Sequence, residues 1–439
     1  MYNQTERKLH FRWMGCLLIG MCLMMGLGAC SQQEEENNSV IDGPASDPEM
    51  QGTITFLTNR VDLIENGTMR RYAEAFSEKY PGATVQFEGL TNYADDIIAR
   101  LTMRDLGDAL LIPKNLTNRE LPNYFEPLDP AMMENMRFTD HRMHEGQNYG
   151  LATGSSIEGI IYNKRAFAAA GIEEVPRTLD EFYAACEQLK QAGIVPVYLN
   201  YGAQWPMKQW GEELVVFMNE DPNYVNNMIN QPEPWQLDNA WGRSIMIAKT
   251  LINRGYVEDR LFADYWEISK TEVATGEAAM YFLGNWVINQ VVAAGANSED
   301  IGFFPFPYDN SGNYYAPVNP DWFVGVSKFS EHKKLAKAWI DFLVKESGYI
   351  ADSGFLPVIK GEEAAFPQIQ EFLSYEPTLV ESVPVSDTLL EIANRAQIAF
   401  WSGEYVQELV ASRDLAASFE AINQRWKRAR EEVLELPVQ

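Results

Sequence analysis

Apolar positions along the chain follow two spacings. Short strand-like runs occur at residues 53–58, 83–88, 109–112, 159–162 and 195–199, the last three nearly unbroken in apolar residues, and each is bounded by Gly, Pro, Asn or Asp. Runs of this length predict buried strands. Between them the apolar residues fall three or four apart. Met69, Tyr72, Ala73, Phe76 and Tyr80 predict one helix, stopped by Pro81-Gly82, and a second is expected over 94–103. Thr178-Leu179-Asp180-Glu181 has the form of a capping box. Leu179, Phe182, Cys186 and Leu189 then share one helical face, so Cys186 reads as a core residue. Further helices are expected at 241–251, 268–275, 286–294 and 331–345, a strand at 321–326, and a largely helical stretch over 389–436. Strands alternating with helices predict an α/β fold built on parallel sheet.

The first fifty residues break both patterns. Arg7, Lys8 and Arg12 precede an uncharged apolar run from Trp13 to Leu27, which ends in Leu27-Gly28-Ala29-Cys30. A run of this length suits a signal peptide over residues 1–29 better than a membrane span. The last four residues resemble a bacterial lipobox, which implies a lipidated Cys30 at the mature N-terminus. Residues 30–50 are rich in Gln, Glu, Asn, Ser and Pro and read as a disordered tether. Removing the leader also removes Cys16 and Cys22, so Cys30 and Cys186 alone remain and no internal disulfide is expected.

Charge and composition then narrow the function. The 439 residues hold 35 Lys and Arg against 62 Asp and Glu, a net charge of −27, which becomes −29 once three basic and one acidic leader residue are lost. That balance excludes a nucleic-acid partner and a basic membrane-binding face. No nucleophile elbow, phosphate-binding loop or dinucleotide fingerprint occurs. His141 and His144 lack a clear third metal ligand and read as surface histidines, and the paired acids Glu173-Glu174, Glu212-Glu213 and Glu362-Glu363 read as solvated. No metal and no cofactor are expected. The aromatic residues stand out instead. Trp205, Trp210, Trp241, Trp266, Trp286 and Trp322 lie in segments that also carry Gly, Asn, Asp or Pro. An indole face with polar neighbours suits the apolar C–H faces and hydroxyl edges of a sugar.

Several motifs, in order, carry a resemblance: Phe76-x-x-x-Tyr80-Pro81-Gly82; Tyr149-Gly150-Leu151; Gly159-Ile160-Ile161-Tyr162-Asn163-Lys164; Pro176-x-Thr178-Leu179-x-Glu181-Phe182; Gly284-Asn285-Trp286; and Gly354-Phe355-Leu356-Pro357. The chain resembles bacterial extracellular solute-binding proteins of family 1, the class that includes maltose-binding protein, across residues 53–361. The resemblance implies a periplasmic-binding-protein-like α/β fold of type II, with two lobes joined by a three-crossing hinge near 153–156, 322–325 and 357–361. Lobe one would be 51–155 plus 324–358, and lobe two 156–323 plus 359–439. It implies a non-enzymatic, monomeric capture subunit of an ABC importer, lipid-anchored on the extracellular side of the cell membrane or in the periplasm, that delivers a sugar or oligosaccharide to permease subunits. The site implied is Asn59, Arg60, Tyr93, Asp108, Ser155, Ser156, Trp205, Trp210, Trp286, Asp321 and Trp322. A polyamine, peptide or polyol ligand, a sensor role, and a surface glycosidase remain open at this point.

Overall fold

The computed structural model describes residues 47–364 and 366–435. The expected leader, Cys30 and most of the expected tether lie outside the described residues. The end of that tether does not behave as one. Pro48–Met50 forms a 3-10 helix capped by Asp47, and Lys334 pairs with both Asp47 and Glu49. Among the described residues no helix is long and apolar enough to cross a membrane.

Lobe one opens with β1 (Gly52–Thr58), β2 (Ala83–Gly89), β3 (Ala109–Leu111) and β4 (Phe125–Glu126). β1 pairs in parallel with β2 on one side and β3 on the other. The connecting helices Thr68–Lys79 and Tyr93–Met103 cover the sheet, the first burying Met69, Tyr72 and Phe76. A hairpin of β5 (Met143–His144) and β6 (Gln147–Asn148) and a short β7 (Leu151–Ala152) complete this passage. One of the two histidines departs from expectation here. His144 lies in β5, whereas His141, in the turn before it, packs between Phe138 and Phe323 with ring centroids 5.3 and 5.7 Å away. Burial holds its pKa below the usual value.

The chain then crosses to lobe two as β8 (Ser155–Asn163), followed by β9 (Val195–Tyr198), β10 (Ala278–Gly284), β11 (Ile301–Phe304) and β12 (Tyr315–Pro320). It returns as β13 (Phe323–Ser327), between β3 and β4, and crosses again to reach β14 (Thr378–Glu381). The lobe-two sheet has the order β14-β12-β8-β10-β9, with β11 also on β8. Every residue of β8 and β10 is buried. Their side chains alternate between two cores, as the pleat requires. Ile157, Ile161, Tyr281 and Leu283 join the core that runs into lobe one, under helices Trp266–Thr275, Val287–Ala293 and Pro367–Leu373. Ile160, Tyr162, Met280 and Phe282 face the other core, with Cys186 and the three C-terminal helices Asp387–Ala396, Glu404–Ala411 and Leu415–Glu435. The Thr178–Glu181 capping box is formed: Thr178 Oγ1 accepts from the Glu181 N–H, and Glu181 Oε2 accepts from the Thr178 N–H, both at 3.2 Å.

The three crossings lie side by side. The Thr153 N–H donates to Trp322 O (2.8 Å), the Asp321 N–H donates to Gly154 O (2.9 Å), and Ser155 and Leu356 exchange both backbone bonds (3.0 and 2.7 Å). A Cβ on Gly154 would lie 2.6 Å from the Phe355 ring, so only glycine lets the first and third crossings touch. Because residues 323–327 belong to β13, the second crossing falls at 320–322, slightly earlier than expected. Asn285 ties lobe two to the third crossing: its Oδ1 accepts from the Ile157 N–H (2.8 Å) and its Nδ2 donates to Gly354 O (2.6 Å). Elsewhere, the Asp387 carboxylate accepts from the backbone N–H groups of Asn118 (2.6 Å) and Arg119 (3.0 Å), and Arg119 pairs with Glu391 (2.9 Å).

Candidate functional site: an interlobe cleft of indoles and charges

The loops after β1 and β3, the crossings and the segment after β9 converge between the lobes, where strand ends in open α/β sheets commonly meet a ligand. From β1, Asn59 is half-buried, and Arg60 folds onto Asp62 with two bonds (Nε to Oδ1 2.8 Å, Nη2 to Oδ2 2.7 Å). Burial alone would lower the Arg60 pKa, but the Asp62 bond and the neighbouring charges of Tyr349 and Asp321 raise it, so the guanidinium stays charged. From lobe one, the Tyr93 hydroxyl donates to Leu111 O (2.8 Å), and its ring meets Trp322 edge-on at 5.3 Å. Lys114, just past β3, holds its Nζ 4.5 Å from the Trp322 ring centroid. Burial, then the charge of Lys208, brings the Lys114 amine down to about 8.

Lobe two contributes a cluster of three indoles. Trp205, Trp266 and Trp286 have ring centroids 4.9, 5.7 and 6.0 Å apart, and all three are half-buried. Lys270 stands 4.9 Å from the Trp266 ring and pairs with Glu267 at 2.8 Å. Burial would raise the Asp62 pKa, but the Arg60 bond and charge lower it and the Lys270 charge adds to them, so this wall lies within electrostatic reach of the loop after β1. Beside the indoles, Lys208 pairs with Glu213 (3.1 Å), Asn319 Nδ2 donates to Glu213 Oε2 (3.3 Å), and Gln209 Nε2 donates to Glu158 Oε2 (3.1 Å). Burial, then the charge of Glu213, pushes the Glu158 carboxyl up to about 8. Burial likewise raises the Asp321 carboxyl, against the pull of Lys114, Arg60 and Lys208. Ser156 Oγ lies 3.5 Å from Glu158 Oε1, whereas Ser155 Oγ donates to Leu356 O (3.3 Å) within the hinge.

Two expected site residues lie elsewhere. Trp210 is 1% exposed and packs in the far core of lobe two, 5.2 Å from the Phe282 ring and 5.7 Å from the Phe306 ring. Trp241 is buried in the same core. Asp108 uses both carboxylate oxygens inside lobe one, accepting from the Thr55 N–H (2.8 Å) and Ser330 Oγ (2.6 Å), so it fastens the end of β3. Conversely, Lys114, Glu158, Lys208, Gln209 and Lys270 were not among the expected residues, Trp266 was named among the indoles but not in the implied site, and Glu213, expected to be solvated, is largely buried against Lys208. One signal was available: Glu158 is an acid inside the otherwise apolar run 157–162. Among the described residues no three or more His, Cys, Asp or Glu side chains gather as a metal site. Two surface depressions, beside Phe167–Val175 and beside Arg70–Glu78, lie apart from these residues and hold no comparable convergence of indoles and charges.

Residues 62–350 match the family of bacterial extracellular solute-binding proteins. The chain belongs to that family. Among curated relatives, an uncharacterized ABC transporter extracellular-binding protein of Pyrococcus horikoshii is 27% identical over 279 residues, covering 60% of this chain and 59% of its own. A probable sugar-binding periplasmic protein of Mesorhizobium japonicum is 25% identical over 187 residues, 42% of each chain. The match thus spans less than two thirds of these relatives' length. Among solved structures, the ABC transporter binding protein BlMnBP1 of Bifidobacterium animalis subsp. lactis, in complex with mannobiose, has a TM-score of 0.79 and 28% identity, covering 88% of this chain and 96% of its own. BlMnBP2 of the same organism, a manno-oligosaccharide-specific solute-binding protein in complex with mannotriose, has a TM-score of 0.80 and 26% identity, with the same coverage. This solute-binding protein therefore shares their two-lobed fold over most of its length.

Proposed function

We propose that this solute-binding protein is the capture subunit of an ABC importer and takes a neutral oligosaccharide of the mannobiose and mannotriose class into the interlobe cleft. The observation that carries the reading is the half-buried Trp205–Trp266–Trp286 cluster on lobe two, with Trp322 at the second crossing as a further indole. Indole faces bury the apolar side of a pyranose, and the charged side chains between them meet its hydroxyls. The cleft holds four cations (Arg60, Lys114, Lys208, Lys270) against four carboxyl groups (Asp62, Glu158, Glu213, Asp321), with burial holding the Glu158 carboxyl toward its neutral form, so there is no acidic excess to favour a polyamine over an uncharged ligand. The bound complexes of BlMnBP1 and BlMnBP2 support the sugar class. Binding, not catalysis, is the activity.

The test is a thermal-shift and calorimetric panel of mannobiose, mannotriose, raffinose and spermidine. A sugar at 100 times its Kd stabilises the folded state by about 2.7 kcal/mol. A response to spermidine with none to any sugar overturns the reading. We further propose that lipid on Cys30 holds the protein at the outer membrane face, with a single folded body per anchor. Cys30→Ser is expected to move it from the membrane fraction to the soluble fraction.

A further inference from the structure

Glu158 is the one acid within β8, and it is 4% exposed, on the same side of Gly284 as the Trp286 indole. Its direct hydrogen-bond partners are neutral: Gln209 Nε2 and Ser156 Oγ. The charged groups that face it are Glu213 from helix Glu212–Asn219, Lys208 from the 3-10 helix Trp205–Trp210, Lys114 from the loop after β3, and Asp321 from the second crossing. On β10 its pairing partner is Gly284, which brings the Trp286 indole and no charge. Lys208 forms its ion pair with Glu213, and Lys114 stands over Trp322. Two acids therefore oppose the Glu158 charge, Lys208 and Lys114 favour it only from a distance, and no cation is bonded to it. A carboxyl buried in that way keeps its proton.

We propose that Glu158 reads the sugar as a protonated carboxyl, so that ligand capture takes up a hydrogen ion whenever the solution has removed it from the free protein. The inference rests on the sugar-binding reading above. A neutral carboxyl donates one hydrogen bond and accepts another, which matches a sugar hydroxyl or a pair of them, whereas a carboxylate only accepts. Closing the lobes on an uncharged ligand expels water, which penalises a carboxylate further. Burial and the Glu213 charge act in the same direction, against Lys208 and Lys114.

The test is calorimetry of the whole protein with mannobiose, mannotriose and raffinose from pH 6.5 to 9.5, in two buffers of different ionisation heat. The expected result is steady affinity below pH 7 and a loss of about tenfold between pH 7 and pH 9, as one-proton linkage requires. At pH 8.5 the observed heats are expected to differ between buffers, a readout that needs no variant. Glu158→Gln should show no pH slope between pH 7 and pH 9. Lys114→Arg should keep the slope, since arginine does not titrate in this range. Binding at pH 6.5 with a flat response and equal heats overturns the role of Glu158 and leaves the sugar reading intact. A slope that survives in Glu158→Gln and vanishes in Lys114→Arg overturns it in favour of the lysine. No binding of any of the three sugars at pH 6.5 overturns both readings.

Discussion

The Lys114 ammonium lies over the Trp322 ring, 4.5 Å from its centroid, while Tyr93 meets the same ring edge-on. One indole thus carries a cation on its face and is held in place from the side. A cation over an indole is worth about 0.5–2 kcal/mol and perturbs the ring's emission environment. With the Lys114 amine brought down to about 8, the charge leaves the ring as pH rises through that value. Tryptophan fluorescence followed from pH 6.5 to 9.5 should show an inflection near pH 8 that is reduced in Lys114→Met. An equal inflection in the variant would detach it from this contact.

Trp266 and Trp210 should separate by phenotype. Trp266 is half-buried in the three-indole cluster, and Trp210 is sealed in the core. Trp266→Ala is expected to weaken sugar binding about tenfold or more with a small change in Tm. Trp210→Ala should cost about 3–5 kcal/mol of stability, the range for emptying a buried aromatic site. The folded fraction of Trp210→Ala should bind as before. Calorimetry and denaturant unfolding on both variants check the pair, and reversed outcomes would move the cleft wall.

Asp387 fastens helix Asp387–Ala396 to the 3-10 helix Asn118–Glu120 of lobe one through two backbone N–H groups. Hydrogen bonds to a charged acceptor contribute about 1.5–3 kcal/mol. Asp387→Ala is expected to loosen the approach of the lobes, lowering affinity by an order of magnitude or so while the ranking of sugars stays the same. Small-angle scattering should show a larger radius of gyration without ligand. Unchanged affinity and scattering would make the contact ornamental to closure.

Stability should respond to pH through two buried acids. Burial, joined by the Glu213 charge at Glu158, raises both Glu158 and Glu212 to about 8 from a reference of 4.5. The folded state then binds more protons than the unfolded state between those values. Their contribution is fully present below pH 4.5 and is lost as pH rises through about 8. In a Glu158→Gln, Glu212→Gln double variant, the fall in Tm between pH 5 and pH 9 should shrink relative to the unmodified protein. An undiminished fall would assign it to other groups.

The helices were legible in the sequence where one face is apolar, as in Thr68–Lys79 and Leu179–Gln191. β10 was missed because Ala278–Gly284 is apolar throughout, and a run buried on both faces shows neither period. β12 was missed because Pro317 and Pro320 argue against a strand, yet it pairs with β8 only through residues 318–320. The site was legible as residue types more than as places. Trp205 and Trp210 sit in one 3-10 helix, and the turn between them decides which is half-buried and which is sealed. Asp108 had the right location after a strand, but its carboxylate is spent on Thr55 and Ser330, a partnership between segments far apart in sequence. Lys114 and Lys208 belong together only because the lobes face each other, which no local pattern records.

Asn285 holds Ile157 of the central lobe-two strand with one end of its amide and Gly354 with the other. A side chain bonded at once to a lobe and to the strap leaving its neighbour acts as an axle pin. Points near an axle travel least when two bodies swing about it, and Trp286 is the very next residue. On the sugar-binding reading proposed above, the Trp286 indole is thereby a stationary anvil, and the work of gripping falls to the wall that moves toward it.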